Sequence, residues 1–314
     1  MPEGPEIRRE ADEIAAAIAR RPIVRLELLL PRLKPAERQL QGAKVTRVQP
    51  HGKALLIRFD NGLTLYTHNL LYGRWYVERA GERPRTNRTL RVLIETKRHA
   101  ALLYSASQIA VLDDAQIAQH PYLSRLGPDL LEPTLKPAAV ARRMLEPRFG
   151  KKTIAALLLD QGFLAGSGNY LRSEILWDAK LDPMRRADSL DAKERGRFAR
   201  STLRIGLRAY RHDGVTNDPR RVARLKQQNP RRSYRYAIYT RDGKPCYACG
   251  TQIVREVATG RRIYRCPGCQ PAVVPRKAPR AKRAGLTTAK TRPRRGGTES
   301  ARASRRGARP TASS

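Results

Sequence analysis

The sequence predicts an α+β protein of several domains: a β-sandwich with one helix at its N-terminus, a helical C-terminal domain, and a small cysteine-bearing ribbon. Three observations lead there. Short strand-like runs at regular spacing fill residues 23–105 behind a single helical stretch. Apolar residues then recur at three- and four-residue intervals from Lys136 to Tyr210. All four cysteines fall in one pattern, Cys246-x2-Cys249-x16-Cys266-x2-Cys269.

Residues 4–20 set Ile7, Ala11, Ile14 and Ile18 on one helical face, and Pro22 stops the pattern. Strands are expected over Ile23–Leu30, Ala43–Gln49, Ala54–Phe59, Leu63–Thr67, Arg74–Glu78, Leu90–Thr96 and Ala100–Ser105. Asp60-Asn61-Gly62 reads as a hairpin turn between two of them. Such spacing suits a two-layer sandwich, here residues 1–124. Pro121, Gly127-Pro128 and Pro133 break regular structure, so 125–133 is expected to link this domain to the next.

Helices are expected over Lys136–Leu145, Thr153–Ala165, Asn169–Ala179 and Ser189–Tyr210, within a second domain 134–235. Gly166-Ser167-Gly168-Asn169 separates two of them. Two close glycines can aim N–H groups at a phosphate beside a helix start, and serve equally well in a plain interhelical turn. Residues 236–270 form the ribbon. Two CxxC pairs at this separation match a four-cysteine structural Zn2+ site, whose thiolates leave no open position for water. Between the pairs, Gly260-Arg261-Arg262-Ile263-Tyr264-Arg265 reads as a hairpin with arginines at its tip.

The chain carries 64 Lys and Arg against 28 Asp and Glu, a net charge of +36 over 314 residues. That imbalance points to nucleic acid as the partner. No run of eighteen apolar residues exists to span a bilayer, and the N-terminus lacks a secretory signal pattern. A monomer in the cytoplasm, associated with the nucleoid and not with membrane, is therefore expected. Residues 271–314 hold thirteen basic residues, one acidic residue and no aromatic. Such a tail cannot bury enough apolar surface to fold, and is expected to be disordered and to add salt-sensitive, sequence-blind DNA contacts. A salt titration of DNA binding with and without 271–314 reads this as a change of slope.

The chain opens Met1-Pro2-Glu3-Gly4-Pro5-Glu6. Removal of the initiator methionine would free the secondary amine of Pro2, and an α-amino group has a pKa of roughly 7.7–8.0. Condensed with an aldehyde carbon, that amine becomes an iminium and an electron sink. Glu3 stands beside it as a proton donor or acceptor. By itself a second-position proline says only that the terminus is processed.

The segments MPEGPEIRR, HGKALLI, LYTHNLLYGRW, HPYLSRLGPD, LLLDQGFLAGSGNYLRSEILW and CPGCQ, together with the cysteine ribbon, resemble the formamidopyrimidine-DNA glycosylase and endonuclease VIII family, in its endonuclease VIII branch. The resemblance runs from Met1 to about Gln270 and implies a helix–two-turn–helix in the second domain. It implies a bifunctional DNA glycosylase and AP lyase of base-excision repair acting on damaged double-stranded DNA, with oxidised pyrimidines favoured. Pro2 would attack C1′, and Glu3 would supply the proton that releases the base. Lys53 would assist β-elimination, and Arg261, or Arg262 one residue on, would hold a phosphate and assist δ-elimination. Asn169 and Arg125 match DNA contacts, and Glu6 and Glu174 match acidic residues near the site, with a helix N-terminal charge and a simple surface carboxylate as fair alternatives.

Leu70, Leu71 and Tyr72 would fill the space of the extruded nucleotide. Two other readings stand: an oxidised-purine glycosylase, and a non-enzymatic zinc-ribbon DNA-binding protein. Leu70 departs from the branch, which usually carries glutamine there. Leucine can pack against the orphaned opposite base but cannot hydrogen-bond it, so discrimination by that base is expected to be weak. Excision of one lesion opposite A and opposite G should give a ratio that changes in Leu70→Gln; equal ratios in both proteins would remove any role for Leu70 in reading that base.

Overall fold

A computed structural model describes residues 2–228 and 234–272. The expected basic tail lies outside the described residues beyond position 272. The first helix, α1 (Gly4–Ile18), turns Ile7, Ala11, Ile14 and Ile18 inward, as its periodicity requires.

Eight strands follow: β1 (Ile23–Leu28), β2 (Val45–His51), β3 (Ala54–Phe59), β4 (Thr64–His68), β5 (Arg74–Arg79), β6 (Leu90–Thr96), β7 (His99–Tyr104) and β8 (Gln108–Leu112). They form two antiparallel four-stranded sheets, ordered β1-β6-β7-β5 and β2-β3-β4-β8. Between the sheets and α1 lies a core that includes Ile14, Leu28, Phe59, Leu65, Val92, Ile94 and Leu103. The Asp60-Asn61-Gly62 turn is present, with Gly62 at φ +83° and the Asn61 side chain accepting from Leu63 N at 3.2 Å.

The sequence reading missed β8 and a short helix α2 (Lys34–Leu40). It also missed α3 (Asp114–Gln119), whose Asp113 side chain caps Gln116 N at 2.7 Å.

The helical part comprises α4 (Pro137–Arg143), α5 (Pro147–Gly150), α6 (Ile154–Leu157), α7 (Asn169–Asp178), α8 (Ala192–Arg211) and α9 (Pro219–Gln228). Its core stacks Phe163 between Phe149 and Phe198, with ring centroids 5.3 and 6.4 Å apart. The expected helix Thr153–Ala165 shrinks to the single turn of α6. Its second half bonds elsewhere: Gly127 N donates to Gln161 O, Ala165 N to Pro128 O, and Leu130 N to Ala165 O. Those groups cannot also close helical turns. Residues 211–235, over which no helix was expected, contain α9, while 229–233 lie outside the described residues.

The ribbon hairpin pairs β9 (Val254–Ala258) with β10 (Arg261–Arg265). Thr259 and Gly260 turn it with φ of +54° and +70°, the two left-handed residues that a tight hairpin of this twist demands. Its Ala258 and Ile263 pack into the same core as α7, which fixes the hairpin on that helix.

Candidate active site

The site is built where α1 and α7 meet end to end. The Glu3 carboxylate lies over the N-terminus of α7 and accepts from Tyr170 N at 2.9 Å and Leu171 N at 3.3 Å. The first N–H groups of a helix lack intrahelical partners and favour negative charge. Gly4 N donates to Gly166 O at 2.7 Å, closing the same junction. The glycine pair now has a reason. Gly166 adopts φ +96°, and a Cβ on Gly168 would lie 2.4 Å from the carboxyl carbon of Glu3. Glu3 is only 3% exposed. Burial raises its pKa to about 7, against the pull of Lys53 and the two backbone donors.

Lys53 follows Gly52 in the β2–β3 turn, where Gly52 N donates to Asp129 Oδ2 and Lys53 N to Tyr122 Oη. Its ammonium is buried, which lowers its pKa; Glu3 works against that shift and Arg261 adds to it. Three residues far apart in sequence thus share one field.

Arg261 and Arg262 are exposed beside the hairpin turn. The wholly buried Arg172 holds that turn down, donating to Asn169 Oδ1 at 2.7 Å, Ala258 O at 3.2 Å, Thr259 Oγ1 at 3.1 Å and Arg262 O at 3.1 Å. Asn169 adds a bond from Nδ2 to Arg262 O at 2.9 Å.

A cavity of about 930 Å3 is lined by Pro2, Glu3, Glu6, Asn169, Arg261, Arg262 and a set of aromatic rings, while Lys53 and Arg172 do not line it. Tyr170 and Tyr236 lie 5.3 Å apart, and Tyr239 and Tyr264 5.0 Å apart. Glu174 is no surface carboxylate. It is 1% exposed and accepts from Thr216 Oγ1, Ala237 N, Ile238 N and Tyr239 N at 2.7–2.9 Å, which ties the 237–239 wall to α7. Glu6 accepts from Tyr170 Oη at 3.1 Å and from Arg235 at 2.8 Å.

Leu71 lies on the rim; it and Tyr72 are 67% and 70% exposed, and Leu70 has φ +50°. Arg125 sits exposed in a short 3-10 turn and does not line the cavity.

Sequence reasoning missed Arg172, Arg235 and the tyrosines. The one available signal was the density of Tyr234, Tyr236 and Tyr239 within six residues.

The four Sγ atoms of Cys246, Cys249, Cys266 and Cys269 lie within 4.8 Å of one another, with close pairs at 3.4–3.8 Å. A tetrahedral site with Zn–S bonds of about 2.3 Å needs sulfurs roughly 3.8 Å apart, so the donor set fits that ion. Trp177 Nε1 also points at Cys246 Sγ, at 3.3 Å.

An N-terminal glutamate seated on a helix start, a buried lysine in its field and a ribbon arginine on the same cavity give a proton donor, a nearby cation and an anion-binding group at one place. Residues 1–108 match the formamidopyrimidine-DNA glycosylase N-terminal domain, and residues 126–218 match the formamidopyrimidine-DNA glycosylase H2TH domain. Endonuclease 8 of Escherichia coli (strain K12 / DH10B) is 46% identical over 270 residues, 86% of this chain and 100% of the relative. Endonuclease 8 of Shigella flexneri is 45% identical over the same shares.

Among solved structures, MutM in complex with DNA containing carbocyclic 8-oxo-G aligns at TM-score 0.69 and 22% identity. Lactococcus lactis Fpg with DNA containing an oxidised pyrimidine aligns at 0.70 and 20%. Each covers 86% of this chain and all of its own. The chain belongs to the formamidopyrimidine-DNA glycosylase and endonuclease VIII family, and is a DNA glycosylase with AP lyase activity. Among the described residues no helix is long and apolar enough to cross a membrane.

Gly168→Ala should displace the Glu3 carboxylate while leaving the core packed. A shift of that kind costs roughly 100-fold in excision rate. Single-turnover excision and a melting curve check this; an unaltered rate would mean that Glu3 need not sit where it does.

Proposed function

We propose that Pro2 is the nucleophile of a bifunctional glycosylase and lyase that prefers oxidised pyrimidines in double-stranded DNA. The observation that carries this is the convergence on one cavity of Pro2, a buried Glu3 with its pKa near 7, and Arg261, with the buried Lys53 in the field of Glu3 and Arg261. The lesion preference rests on the likeness to the endonuclease 8 relatives.

Once Met1 is removed, the Pro2 nitrogen adds to C1′ of the damaged nucleotide and the bond from C1′ to the base breaks. Glu3, neutral below about pH 7, gives its proton to O4′ to open the sugar, and the departing base takes the proton that the Pro2 nitrogen gives up as the iminium forms. The resulting iminium withdraws electrons from C2′, a proton leaves C2′, and the C3′–O bond to the 3′ phosphate breaks. Lys53 holds phosphate charge and assists this step. A second elimination expels the 5′ phosphate beside Arg261. Hydrolysis of the remaining imine frees Pro2. The tyrosine rings offer flat faces to an extruded base, and Leu70, Leu71 and Tyr72 fill the gap it leaves. Asn169 and Arg125 are read as further DNA contacts.

Cys246, Cys249, Cys266 and Cys269 hold one Zn2+, which cross-links the ribbon. With four sulfur ligands it has no open position and serves structure alone. Metal analysis should find one zinc per chain. Stripping it, or Cys266→Ser, should abolish excision, because the turn carrying Arg261 and Arg262 loses its anchor; full activity in zinc-free protein would refute this.

The pH profile of excision has two limbs. The rate climbs as the Pro2 amine loses its proton, at roughly 7.7–8.0. It falls as the Glu3 carboxyl ionises, through about 7. Rates should peak near neutrality. In Glu3→Gln the falling limb should vanish and excision should drop roughly 100-fold or more, the scale of lost general-acid catalysis. Borohydride trapping of the variant on a preformed abasic site should persist, since no base remains to be released. A Glu3→Gln enzyme that excises at the normal rate would assign the proton to another group.

A further inference from the structure

The five residues Asn69–Gly73 join β4 to β5 and carry the exposed Leu71 and Tyr72. An apolar finger in water must be held up by something. Gly73 N donates to Asn69 O at 2.7 Å, winding the loop into one turn. Leu70 accepts a left-handed φ of +50°, an unfavourable conformation for leucine that persists only where the surroundings impose it.

Three side chains impose it from below. His68 Nδ1 accepts from Leu70 N at 3.2 Å. Burial, with the charge of Lys53, lowers the His68 pKa to about 4, so the lone pair stays free for that bond. The Arg88 guanidinium donates to Tyr72 O. The third is Glu10 of α1. Asn69 is only 3% exposed, and its amide Nδ2 donates to Glu10 Oε2 at 2.7 Å.

Nothing in the proposed mechanism uses Glu10. Burial raises its pKa to about 7; Asn69 from the loop and Arg74 from β5 act against that, and Glu13 and Glu6 on its own helix add to it. A half-buried carboxylate is costly unless it is hydrogen-bonded, and this one spends an oxygen on the loop.

Its place on α1 gives the contact a further meaning. Pro2 and Glu3 stand at the start of that helix, and Glu10 follows seven residues after Glu3, about 10 Å along the axis. One rigid element therefore carries both the reacting end and the support of the loop.

We infer that Glu10 is a positioning residue for strand separation: through Asn69 it fixes the loop so that Leu71 and Tyr72 enter the duplex in step with delivery of the extruded nucleotide to Pro2. The inference rests on the proposed glycosylase reading. It concerns the insertion step only, and therefore matters where a base must be pulled from a paired stack.

The test compares single-turnover excision of one oxidised pyrimidine in fully paired duplex and in a bubble of mismatches, where extrusion costs little. Loss of one hydrogen bond to a charged group should slow the paired substrate roughly tenfold in Glu10→Ala, with a much smaller loss on the bubble. Glu10→Gln, which keeps an acceptor at the same reach, should restore the wild-type ratio. Glu10→Asp, which cannot reach Asn69, should behave as Ala and serves in its place if Ala does not fold.

Equal losses on both substrates, no loss on either, or a Gln variant as defective as Ala would each overturn the inference. Wild-type protein inactive on both substrates would overturn the proposed preference for oxidised pyrimidines, and this inference with it.

Discussion

The Glu3 carboxylate on the first N–H groups of α7 is the contact on which the site depends. It brings the N-terminal residues of the chain, otherwise free to fray, onto a helix that begins 166 residues later, and does so with the side chain required for chemistry. Three consequences follow from that one placement. Pro2 is brought to the wall of the cavity. Glu3 loses water and keeps its proton near neutral pH. Gly166 and Gly168 become necessary, one for its left-handed backbone and the other because any side chain would occupy the carboxylate's space.

The same helix organises the rest. Arg172 faces the ribbon hairpin and bonds its carbonyls, and Glu174 faces the 237–239 segment and accepts from its N–H groups. Both side chains are buried and spend most of their hydrogen bonds on backbone, an arrangement that gives position more than stability. A short ladder of charges on α7 thus aligns the N-terminus, the hairpin and the aromatic wall. Trp177 on that helix also donates to Cys246 Sγ, joining the cysteine cluster to α7.

Much of this was legible in the sequence, and the limits were physical. Alternation and helical spacing marked the sandwich, α1 and α8, which bury one face each, and also α7, which is buried on nearly every side. Thr153–Ala165 misled because its apolar residues are buried by long-range pairing with 127–130, which periodicity cannot distinguish from a helix. The helix α9 went unread because it buries Leu225 alone and has no apolar stripe to see.

Pro2, Glu3, Lys53 and Arg261 could be named from motifs; Glu174 was matched only through the resemblance, and Arg172 and Glu10 went unnamed. A buried ion looks like a surface ion until its partner is known, and the partners of these three lie dozens of residues away.

The central claim is that the nitrogen of Pro2 forms the covalent bond to DNA. The direct measurement is borohydride reduction of the enzyme on duplex DNA carrying an oxidised pyrimidine, followed by peptide mapping of the adduct by mass spectrometry. The account predicts an N-terminal peptide that begins at Pro2 and carries the reduced sugar on its amine. An adduct on Lys53, or an N-terminal peptide that retains Met1 in enzyme that still excises the base, would contradict it.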